Sequence, residues 1–161
     1  MLFPPKIIIS KANKDPVVYT GVFFDRASLY DLVSGYFGDS RLYRDVLYPH
    51  ITFQYAPQTV HEDLFGEKAG FRVVGYGNNG QNEGLFVEWL SGSSGLKQLF
   101  DEIQVPHITL SYAENGRAVN TRYLDFEPVT PFNISGVFGG FLKSGNNAHP
   151  AESVRSTAMT Q

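Results

Sequence analysis

Pro49-His-Ile-Thr-Phe-Gln-Tyr55 returns 57 residues later as Pro106-His-Ile-Thr-Leu-Ser-Tyr112. Both copies follow the pattern P-H-I-T-apolar-polar-Y, and both read as β-strands. Proline at the front suits the first residue of a strand, where its missing N–H matters least. Side chains along a strand alternate between faces. Ile51, Phe53 and Tyr55, and likewise Ile108, Leu110 and Tyr112, read as core faces. His50, Thr52 and Gln54 then share the opposite face, as do His107, Thr109 and Ser111. An ordinary solvent face would carry Lys, Glu or Arg; these faces carry short hydrogen-bonding groups and an imidazole. The repeat predicts two halves of similar build. If the two strands come together, two imidazoles and two hydroxyls converge on one small volume.

Outward from the repeat, the pattern is mixed. Residues 17–24 (VVYTGVFF) are β-branched and aromatic and predict a strand. Asp25 reads as an N-cap for a helix over 26–36, carrying Leu29, Leu32 and Val33 at helical spacing and ended by Gly38. Strands are expected at 47–55, 70–76, 84–90, 105–113 and 131–143, the last with Gly136, Gly139 and Gly140 marking a bulge or a close backbone approach. Ser93 or Ser94 caps a second expected helix with Leu96, Leu99 and Phe100, and a short helix is expected near 117–124. The fold class is therefore α+β, without the steady alternation of a parallel α/β chain. Residues 1–144 read as one domain. From 145 to 161 the composition turns small and polar, which predicts a mobile tail.

Composition narrows the function classes. The chain has 161 residues, is 42% hydrophobic and 18% charged, and so can bury a core. It has no cysteine, which removes disulfides, thiolate nucleophiles and Cys-based zinc sites. No apolar run reaches the roughly 18 residues of a membrane span, and no basic-then-apolar opening suggests a secretory signal; a cytoplasmic protein is expected. The net charge of -3 suits a small nucleotide or an RNA end better than extended duplex nucleic acid held by counterion release. The oligomeric state is left open.

The paired imidazole–hydroxyl faces suit one chemistry. An imidazole has an unperturbed pKa of about 6.5, so one His can take a proton while another gives one. Thr hydroxyls can donate to the non-bridging oxygens of a phosphate between them. Neither a metal nor another cofactor is required. The expected reaction is metal-independent cleavage of a phosphodiester, most easily a 2′,3′-cyclic phosphate or another cyclic phosphodiester. Which His is acid and which is base stays open.

Two H-[apolar]-T motifs on strands, in a chain of this size, resemble the 2H phosphoesterase superfamily. That group includes RNA 2′,3′-cyclic phosphodiesterases, the cyclic phosphodiesterase domains of fungal tRNA ligases and phage anti-CBASS nucleases. The resemblance implies a bilobal, pseudo-symmetric fold with antiparallel sheets forming a central cleft and helices outside. It also implies catalytic roles for His50, Thr52, His107 and Thr109. Tyr19, Tyr48 and Trp89 are candidate platforms for a nucleobase. The alternatives are a non-catalytic nucleotide sensor with the same cleft, zinc held by His50 and His107, and a structural origin for both His residues. His61, beside Glu62 and Asp63, reads as part of a solvated loop. Gly75-Tyr-Gly-Asn-Asn-Gly80 lacks the Lys of a nucleotide-triphosphate loop.

Overall fold

A computed structural model describes residues 7–8, 17–42 and 44–142. In chain order these form β1 (Ile7–Ile8), β2 (Val17–Phe23), α1 (Arg26–Phe37), β3 (Arg44–Asp45), β4 (His50–Tyr55), β5 (Lys68–Asn78), β6 (Asn82–Ser91), α2 (Ser94–Asp101), β7 (His107–Tyr112) and β8 (Glu127–Leu142). Short 3-10 turns lie at Glu62–Leu64 and Ala118–Tyr123. The fold is mixed helix and strand, and the sheet pairings are antiparallel. The expected tail at 145–161 lies outside the described residues.

The strands follow the order β1-β8-β2-β4-β7-β6-β5, with β3 added on β7, and β8 also pairs with β5. That last pairing closes six strands, β8-β2-β4-β7-β6-β5, into a barrel. The resemblance implied antiparallel sheets forming a central cleft; the strands are antiparallel as expected, and the described ones belong to a single sheet. The reason is the length of β8, which has 16 residues. Its first part, up to Val137, pairs with β5. From Val137 onward it pairs with β2, while β1 pairs at Phe141 and Gly140. A side chain at Gly136 would stand 2.4 Å from the Phe23 carbonyl oxygen, so this strand passes close to β2 as its glycines predicted.

Both helices are capped as their sequences demand. The Asp25 carboxylate accepts from the Ser28 N–H at 3.1 Å, and the Ser93 hydroxyl accepts from the Leu96 N–H at 3.2 Å. α1 buries Leu29 and Val33, and α2 buries Leu96, Leu99 and Phe100. These five join Ile51, Phe53, Phe71, Val73, Leu85, Val87, Ile108, Leu110 and Phe138 in one core. Each large side chain there contributes about 1.5–3 kcal/mol relative to exposure. Among the described residues, no helix is long and apolar enough to cross a membrane.

One buried charge sits at the edge of this core. Glu83 is 0% exposed. It accepts from Arg41 Nε at 2.7 Å, Tyr76 Oη at 2.6 Å, Ser40 Oγ at 2.8 Å and Ser111 Oγ at 2.6 Å. A buried carboxylate persists only when matched in this way. The network ties the chain after α1 to β6 and β7. It holds the segment that leads through β3 to β4.

Candidate active site

The two repeats meet. β4 and β7 are antiparallel, with Ile51 across from Ile108, and both isoleucines are fully buried. His50 and Thr52 flank this bridge on β4, and His107 and Thr109 flank it on β7. All four are half-buried and lie on the face away from the isoleucines. The tertiary structure thus brings together the four residues that the sequence singled out.

The surroundings of the two histidines match in detail. His50 Nδ1 donates to the Tyr48 carbonyl at 2.7 Å, and His107 Nδ1 donates to the Val105 carbonyl at 2.7 Å. A carbonyl only accepts, so Nδ1 carries the hydrogen in each neutral ring and Nε2 is left as the proton acceptor. Phe23 lies across from His50, and Phe86 across from His107. Phe24 N–H donates to the Pro49 carbonyl at 3.0 Å, and Val87 N–H to the Pro106 carbonyl at 3.1 Å. Gly21 faces Thr52 and Gly84 faces Thr109. A Cβ on Gly21 would stand 2.1 Å from the Ile51 carbonyl oxygen, and one on Gly84 would stand 2.8 Å from that of Ile108. Only glycine allows either neighbour strand to come this close.

Beyond each threonine the simple alternation fails. Gly21 pairs with Thr52 but Thr20 pairs with Gln54, leaving Phe53 as an extra residue. In the same way Gly84 pairs with Thr109 but Glu83 pairs with Ser111, leaving Leu110 extra. Such a bulge inverts the faces that follow it. Ser111 was expected beside His107 and Thr109; it is instead buried against Glu83 and accepts from the Leu42 N–H at 2.9 Å. Tyr112, expected in the core, lines a cavity with His50. Tyr55, also expected in the core, is 75% exposed. Gln54 turns its Oε1 into the protein, where no partner among the described residues satisfies it.

The threonines differ. Thr109 Oγ1 hydrogen-bonds Thr121 Oγ1 at 2.9 Å and the Ala118 carbonyl at 3.2 Å. Thr121 is itself buried and accepts from Asn82 Nδ2 at 3.0 Å. This chain fixes the Thr109 rotamer. No sequence signal marked Asn82 or Thr121, because neither belongs to the repeat.

Both imidazoles are pushed toward neutrality. Burial lowers His50 to about 4; its bond to the Tyr48 carbonyl opposes this, and the charge of His107 adds to it. His107 is also lowered, mainly by burial, with the Val105 carbonyl opposing and Arg122 adding. Arg122 is an exposed cation whose field reaches His107, and sequence reading missed it. Its Nη2 makes a long contact, 3.5 Å to Gln104 Oε1, and its guanidinium lies 5.6 Å from the Tyr123 ring centroid. Nothing in the local pattern distinguishes it from a solvated arginine.

Aromatic rings wall the His50 side. Tyr19 stacks on the His50 ring at 4.5 Å between centroids and on Phe141 at 5.0 Å. Tyr48 packs near Phe141 at 5.9 Å. Burial raises the Tyr19 phenol far above its usual pKa, so it stays a neutral hydroxyl. Tyr19, Tyr48, Phe141, His50, Tyr112, Ala118 and residues 45–47 line a cavity of about 400 Å3. Trp89 is not part of this group. It packs edge-on against Phe71 at 5.6 Å and beside Phe100 at 5.6 Å, with the core. A larger cavity, about 560 Å3, lies beyond the end of β4 and is lined by residues 54–59 and His61; it holds none of the four motif residues. Among the described residues, no three His, Asp or Glu side chains are grouped to hold a metal ion.

A scan against protein-family models finds no match, and a comparison with curated protein sequences finds none either.

Proposed function

We propose that this protein is a metal-independent phosphodiesterase that opens a cyclic phosphodiester, such as a 2′,3′-cyclic nucleotide, a cyclic oligonucleotide or the cyclic phosphate end of an RNA. One observation carries the reading: the antiparallel bridge of Ile51 with Ile108, which lays the two His-Ile-Thr segments side by side. The matched carbonyl bonds, proline carbonyls, glycines and bulges around the two motifs support a pseudo-twofold relation between them. The phosphate would lie across that pseudo-axis, on the polar face of the two strands.

Burial keeps the His50 ring neutral, which suits it to the role of base. Its Nε2 takes a proton from water as the water oxygen forms a bond to phosphorus. The bond from phosphorus to the ring 2′- or 3′-oxygen breaks, and His107 Nε2–H gives its proton to that oxygen. The product is a phosphomonoester with a free hydroxyl. The monoanionic phosphodiester, once bound, raises the pKa of a nearby imidazole, which supplies the protonated His107 that the free chain disfavours. Thr52 donates to a non-bridging oxygen, Thr109 does so once its hydroxyl hydrogen turns away from the Ala118 carbonyl, and Arg122 offers positive charge on the His107 side. The nucleoside occupies the aromatic cavity beside His50.

The test is a panel of 2′,3′-cyclic nucleotides, cyclic-phosphate-ended RNA and cyclic dinucleotides, assayed with EDTA present. Turnover of at least one, lost in both His50→Ala and His107→Ala, is expected. No turnover of any of them overturns the reading; tight binding without turnover would instead favour a nucleotide sensor.

A further inference from the structure

The cavity beside His50 contains one side chain that a phosphate pocket has no use for. Asp45 lines it, together with the aromatic rings of Tyr19, Tyr48, Tyr112 and Phe141. A carboxylate repels a phosphate, so it belongs with a part of the ligand that carries hydrogen-bond donors. Its placement is built rather than incidental. Asp45 lies on β3, across from Ser111 of β7. Arg26 of α1 holds the segment at two points, with Nη2 3.2 Å from Asp45 Oδ2 and Nε 3.3 Å from the Val46 carbonyl. The Val46 N–H donates to the Leu110 carbonyl at 3.3 Å. Upstream, the buried Glu83 network anchors the same connection through Ser40 and Arg41.

We infer that Asp45 is the base-reading residue of this site and that the ligand carries guanine. The inference rests on the phosphodiesterase reading for the position of the phosphate. A flat base in the aromatic cavity presents its edge to the carboxylate. An ionised carboxylate only accepts hydrogen bonds and has about four lone-pair positions, of which Arg26 engages one. Guanine is the base with two adjacent donors on one edge, its N1–H and its exocyclic amino group. Adenine and cytosine set a ring acceptor beside the amino group, and uracil flanks a single N–H with carbonyls. Each of those three points at least one acceptor at Asp45, and an unmatched acceptor pair in a partly enclosed site is unfavourable. Good two-point pairings of this kind discriminate by about ten-fold or more.

The experiment measures binding and turnover separately on the full chain. Calorimetry follows 3′-GMP, 3′-AMP, 3′-CMP and 3′-UMP; initial rates follow the four 2′,3′-cyclic nucleotides. The guanine member is expected to bind at least about ten-fold more tightly than the others and to give the highest kcat/KM. In Asp45→Asn the side-chain oxygen can keep the Arg26 contact while its amide opposes one guanine donor, so the preference should disappear. Thermal melting checks that the variant is folded. Equal binding of all four bases by the unaltered chain, or preference for another base, overturns the inference without needing any variant. A guanine preference that survives in folded Asp45→Asn overturns it too. Turnover without base preference sinks only this inference. Guanine-selective binding without turnover sinks only the hydrolase reading and supports the base assignment.

Discussion

Ile51 of β4 stands directly across from Ile108 of β7, and both are fully buried. Neither touches a substrate, yet this pair sets the register of the site. Slip it by one residue and the histidines and threonines would turn into the core, because side-chain direction alternates with a period of two. The core side of the pair is apolar and dense; the other side carries the chemistry.

Removing either imidazole should stop turnover. His50→Ala and His107→Ala are each expected to lower kcat by about 10²–10⁴, with circular dichroism unchanged. The kcat/KM profile of the unaltered chain should be a bell displaced to the acid side of neutrality. It falls below about pH 4 as His50 becomes protonated, and it falls toward neutral pH as His107, whose pKa is lowered, loses its proton. The two limbs belong to the coupled pair. A flat profile from pH 4 to 9 would contradict the assignment.

Stability should show the same groups. His50 titrates near 4 when folded and near 6.5 when unfolded. Between these values the unfolded chain binds more protons, so stability falls as pH drops from about 6.5 to 4 and is unaffected above that window. The loss is on the order of 3 kcal/mol. His50→Asn, which can still donate to the Tyr48 carbonyl, should flatten this slope. Urea midpoints at several pH values measure it.

Gly21 and Gly84 leave no room for a methyl group. Gly21→Ala puts carbon 2.1 Å from a backbone oxygen, and Gly84→Ala puts it 2.3 Å from Thr121 Cγ2 and 2.8 Å from the Ile108 oxygen. Backbone cannot yield cheaply, so each substitution should cost about 3 kcal/mol or more. Denaturant melts of the two variants would show midpoints well below the parent; near-parental midpoints would contradict the packing.

Glu83→Ala should cost about 3–5 kcal/mol, because it strands the Arg41 guanidinium without its partner. The same melts read this out.

Tyr19→Ala removes the ring stacked on His50 and should raise KM for a nucleotide while disturbing His50. Trp89→Phe keeps an aromatic ring against Phe71 and Phe100 and should leave KM unchanged. A KM rise confined to Trp89→Phe would reverse the placement of the base.

Much of this was legible along the chain. Asp25 and Ser93 announce their helices because capping is local, and the strands announce themselves through β-branched and aromatic runs. The four motif residues stand out because they recur in one pattern. Tyr55, Tyr112, Gln54 and Ser111 were misplaced for one reason: a bulge after Phe53 and after Leu110 inverts the faces, and a bulge is defined by the neighbouring strand. Trp89 could not be separated from Tyr19 and Tyr48, since all three are aromatic residues in or beside strands.

By itself the amino-acid order determined the elements, their caps and the paired His-Ile-Thr segments, since these depend on residues a few positions apart. Only the tertiary structure decided that β8 closes a barrel, that Ile51 meets Ile108, and that Asp45, Asn82, Thr121 and Arg122 gather around the motifs. Those placements arise from pairings between residues tens of positions apart, where burial of the whole core, rather than any local preference, selects the arrangement.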